Sequence, residues 1–135
     1  MADVLFNIAK GALVEKFRDG AANGIVMLME AVEVDDDLKD YDNLNDFLLA
    51  AGNTEATATG YSRKTGVTGT VVIDDTNDRA EVDFVSQTWN AVSGTGIVAA
   101  IVAYEESASD TGRIPLVKHD WVITPDGSDL KIRFP

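Results

Sequence analysis

SGTGIVAAIVAYEE, residues 93–106, decides how the chain is read. Gly94, Gly96 and Ala99 have the spacing of a G-x-G-x-x-G/A dinucleotide fingerprint, which needs a strand, a tight glycine turn, then a helix whose first amides hold a pyrophosphate. Ile97, Val98, Ile101, Val102 and Tyr104 are β-branched or aromatic, and they favour a strand after the glycines. Asp120 stands near the place of a ribose-binding acid, but too few residues follow for the remaining βαβ units. The segment therefore predicts a strand at 97–104 with its glycines in a hairpin loop, and no nucleotide or other cofactor.

Working outward, TGTVVI (68–73), AEVDFVSQTW (80–89), IPLVKHDWVI (114–123) and LKIRF (130–134) are short apolar runs separated by polar or glycine-bearing turns, as in an all-β protein. Leu130, Ile132 and Phe134 alternate with Lys131 and Arg133, so one face goes inward, and PDGS (125–128) reads as the turn joining this strand to the one before. In that partner, Val117, Trp121 and Ile123 share a side with His119. A single histidine there reads as a packing or edge residue. No G-x-S-x-G, H-E-x-x-H or P-loop spacing is present, and the chain reads as no enzyme.

Towards the N-terminus, Gly24 opens IVMLMEAVEV, a uniform apolar run between AANG and DDD that suits a buried strand. Before it, Leu5, Ala9, Leu13 and Phe17 keep helical spacing, yet Gly11 interrupts them and DGAANG would close a hairpin, so the stretch leans towards a strand. One helix is clear near residues 43–51. Leu44, Phe47, Leu48 and Ala51 share a face, Asp42 can cap the first turn, and Gly52 follows at the usual left-handed stop. The fold expected is mainly β (α+β): an antiparallel β-sandwich or barrel-like single domain over 1–135, with residues 1–10 as an N-terminal arm.

Composition bounds the function. Twenty-three acids against eleven bases give a net charge of −12, which repels phosphate backbones and anionic lipid, so neither nucleic acid nor membrane is an expected partner. There is no apolar run of about 18 residues to span a bilayer and no signal-peptide pattern at Met1-Ala2-Asp3, so the chain reads as soluble and unprocessed. The absence of cysteine excludes disulfides and thiolate sites. The acidic patches at 35–46 and 74–83 lack the glycine and ligand spacing of a calcium loop, and read as solvated loop and helix cap with no metal.

FNIAKG (6–11), LKDYDNL (38–44), YSRKTG (61–66), DDTNDR (74–79) with VDF and QTW after it, and IPL with HDWVITPDGSDL (119–130) resemble a family of small tailed-phage proteins encoded among virion genes. The resemblance spans nearly the whole chain and carries no catalytic residue. It implies a virion structural protein made in the host cytoplasm: a capsid decoration protein on the head surface, bound to the major capsid protein or other virion proteins and homo-oligomeric, a trimer among the options. A tail, fibre or connector component, or a small ligand-binding β domain, stays open. Candidate partner contacts are the less acidic groups: Leu5, Phe6, Ile8, Lys10, Lys16 and Arg18 near the start, and Arg63 with Lys64. The aspartate-rich loops are expected to face solvent.

Overall fold

The computed structural model describes residues 3–6 and 22–134. Its main body is an open six-stranded antiparallel sheet in the order β1 (Val4–Leu5), β9 (Arg113–Ile123), β8 (Ile97–Glu105), β2 (Gly24–Ala31) and β3 (Thr54–Glu55), with β4 (Lys64–Val67) also on β2. Two two-stranded sheets flank it, β5 (Gly69–Asp74) with β6 (Arg79–Phe84), and β7 (Gln87–Trp89) with β10 (Leu130–Ile132). The chain is mainly β, as expected, and its sheets do not close into a barrel.

The central strands β2 and β8 are buried on both faces, which explains why their sequences are continuous rather than alternating apolar runs. Directly opposed residues share a face, so the register Met27↔Ile101↔Lys118 and Met29↔Ala99↔Asp120 defines one side. On this side Lys118 meets Asp35, and the Phe6 and Phe47 rings contact edge-on at 6.1 Å. Two short helices supply Asp35 and Phe47: α1 (Asp35–Leu38) and α2 (Leu44–Leu49). The opposite side carries His119, whose ring lies 5.5 Å from that of Phe134 just beyond β10.

Several local expectations are corrected. The 35–46 patch, expected as solvated loop and helix cap, also opens with a helical turn, because three aspartates in a first turn favour a helical start and Leu38 anchors it in the core. In α2 the cap is Asn43, whose side chain accepts from the Asp46 N–H, rather than Asp42. The helix stops in extended backbone at Ala50, and Gly52 has no left-handed φ. Gly52 is instead a close approach, since a Cβ there would stand 2.5 Å from Glu33 Cγ.

Pairing at the C-terminus also differs. β10 pairs with β7, matching Leu130 with Trp89 and Ile132 with Gln87, and not with the preceding β9. Lys131 and Arg133 are exposed while Leu130 and Ile132 are buried, so the alternation holds. In β9, Pro115, Leu116 and Lys118 are buried and Val117, His119, Trp121 and Ile123 are half-buried, because the helices cover the Leu116–Lys118 side more completely. SGTG is not a hairpin loop. It links β7 of one sheet to β8 of another, with Gly94 at φ 121° and Ser93 bridged to Thr59 and Asp126. The segment after it is the expected strand, and the hairpin expected through DGAANG lies largely outside the described residues.

Candidate interaction surface

Among the residues singled out from sequence, Arg63 is the most informative. Its side chain is only 17% exposed. Nε and Nη2 donate to the two oxygens of Glu55, and Nη1 donates to Asp110 Oδ1 at 2.7 Å. Arg113 closes the chain of charges, donating from Nη1 to the same Asp110 oxygen at 2.9 Å and from Nε to Glu105 at 2.8 Å. Planar guanidinium forks suit such bidentate pairs. The hydrogen bond to Glu55 leads in holding the Arg63 charge even above its ordinary range, against burial. Burial tends to raise Asp110, but its bonds from Arg113 and Arg63 win and hold it below the usual carboxylate range.

Arg63 therefore fastens β3 and the lead-in of β4 to the turn between β8 and β9, and is not a free docking cation. Lys64 Nζ stands 5.5 Å over the Trp89 ring, a cation–π distance. Phe6 is fully buried and unavailable to a partner, and Leu5 lies in β1 opposite Val117. Val4 and Leu5 thus belong to the sheet, and residues 1, 2 and 7–10 of the expected arm lie outside the described residues. Ile8, Lys10, Lys16 and Arg18 lie outside the described residues.

Other polar groups are likewise turned on one another. Lys118 is fully buried, with Nζ 2.6 Å from Asp35 Oδ1 and 2.8 Å from Asp120 Oδ1. Lys118 therefore pairs with Asp120 through Oδ1 at charge-assisted distance. Tyr61 Oη accepts from the Leu28 N–H and donates to Glu55, and burial leads in pushing its phenol far up. Asn53 ties Glu33 to the end of α2, and Tyr41 donates to Glu33, a bond that pushes its phenol up to about 12. No group of three or more His, Asp or Glu able to hold a metal occurs among the described residues.

What sequence reasoning missed is the surface of the β5–β6 ribbon. Val72 and Ile73 are 49% and 64% exposed and Val85 just beyond is 56% exposed, a cluster of exposed apolar side chains, whereas Val122 in β9 is exposed singly. The strands themselves are legible as TGTVVI and AEVDF. Their exposure is not, because it depends on what the fold places over them. No family model, curated protein or solved structure matches the chain.

Proposed function

We propose that the chain is a non-enzymatic structural protein of a tailed-phage virion, and within the particle a decoration protein on the outer face of the head, held by the major capsid protein. The observation that carries this reading is the run of phrases from FNIAKG to HDWVITPDGSDL that resembles small phage virion proteins over nearly the whole chain. The geometry supports it from another direction. The cations Arg63, Arg113 and Lys118 are committed to internal ion pairs, so the solvent-facing charge is dominated by acids. A dense anionic coat keeps particles apart by like-charge repulsion.

The exposed apolar side chains of Val72, Ile73 and Val85, close together at the β5–β6 ribbon, favour a chain that is held by another protein over one that processes a small ligand. Copy counting by mass spectrometry of purified particles tests the reading. A count matching the capsomers of the shell is expected. A count matching a tail or portal ring favours the connector or tail reading instead, and absence from particles overturns both.

A further inference from the structure

The β5–β6 ribbon has two chemically different faces. Its register pairs Val71 with Val82 on one face, with Ile73 further along it, and Val72 with Glu81 on the other. At its base the apolar face is seated, since Phe84 is 7% exposed and its ring lies 5.8 Å from that of Phe134. Towards the tip the same face emerges, with Ile73 64% exposed. A two-stranded ribbon alone is marginal in water.

Among the described residues β5 pairs only with β6. From Gly69 to Ile73 it carries no charge and no proline, the devices that usually guard an open strand edge. An edge of this kind accepts an added strand through main-chain hydrogen bonds, with alternate side chains giving specificity. Charge selects the strand. Residues 74–83 hold Asp74, Asp75, Asp78, Glu81 and Asp83 against Arg79, which disfavours an acidic segment or a second copy of this chain at −12.

We propose that the outer edge of β5 is the docking site for a basic strand of a partner protein, in which valine-like residues alternate with lysine or arginine. Its apolar side chains extend the face of Val71 and Ile73, and its cations lie on the opposite face, beside a ribbon tip rich in acids. Only the identity of the partner rests on the virion reading, which makes it the shell protein.

Two measurements decide the matter separately. In the first, the full chain labelled for amide NMR is titrated with a capped peptide of alternating valine and lysine, and with a peptide of the same composition in two blocks. The alternating peptide should shift the amides of residues 69–73 and the block peptide should not. Ile73→Lys, at an exposed position, should weaken binding by about tenfold or more, while Leu49→Lys, at another exposed apolar position, should leave it unchanged. Shifts centred on residues 35–46, or equal binding by Ile73→Lys, would overturn the proposal. So would a free chain that sediments as a dimer which Ile73→Lys dissociates, because the occupant would then be a second copy.

In the second, wild-type and Ile73→Lys chains are added to phage heads assembled without the protein. Wild type should bind and Ile73→Lys should not. If wild type fails to bind, the virion reading fails and the peptide titration still decides the edge. If both bind equally, the ribbon is not the docking element and the proposal falls.

Discussion

Asp110 joins two arginines that come from different parts of the chain, and its charge should be visible in acid. Its folded pKa lies below the ordinary 3.8, so the unfolded chain takes up the proton first as pH falls. The stability it contributes is full above about pH 4 and is lost as pH drops through the folded value. Asp110→Asn should therefore flatten the fall in denaturant midpoint between neutral and strongly acidic pH, and an unchanged slope would contradict the role given to this carboxylate. Tyr61 makes a different kind of test. Its oxygen is the acceptor for the Leu28 N–H in the buried strand β2, and Tyr61→Phe strands that donor at a cost of about 1–3 kcal/mol in urea unfolding. Neither role was legible from sequence. Arg63 was visible as a cation, but nothing local says that Glu55 and Asp110 meet it from 8 positions before and 47 after.

At the scale of elements, legibility followed burial on both faces. GIVMLMEA and IVAAIVAYE read as strands because a central strand excludes polar residues from either side. The pairing of β10 did not read, since adjacency in sequence favours a hairpin with β9 while Trp89 offers Leu130 a buried neighbour further away. That pairing changes which tryptophan matters. Trp89 is 2% exposed and its indole N–H donates to the Ser62 carbonyl at 2.7 Å, whereas Trp121 is half-buried. Trp89→Ala should cost about 3–5 kcal/mol, Trp121→Ala less, and the exposed Lys131→Ala least. Denaturant midpoints in any other order would contradict the packing described here. The strand after SGTG carries its own check: NAD or ATP at millimolar concentration should leave the melting temperature unchanged, because a real site would raise it by mass action.

For the whole molecule, the balance of charge and cover ties fold to function. The helices and the β7–β10 sheet lie over the two faces of the main sheet, the internal cations are neutralised where they sit, and the ribbon is left with apolar side chains in water. The resemblance to small phage virion proteins supplies the setting, and the exposed ribbon supplies a means of attachment. An image reconstruction of the assembled virion, compared with particles made without this chain, tests the central claim most directly. Density for a small β-rich domain is expected at regular sites on the outer face of the head, with the ribbon pointing into the shell and the aspartate-bearing helix α1 facing solvent. Density confined to the tail or portal, or no difference between the two reconstructions, would contradict it.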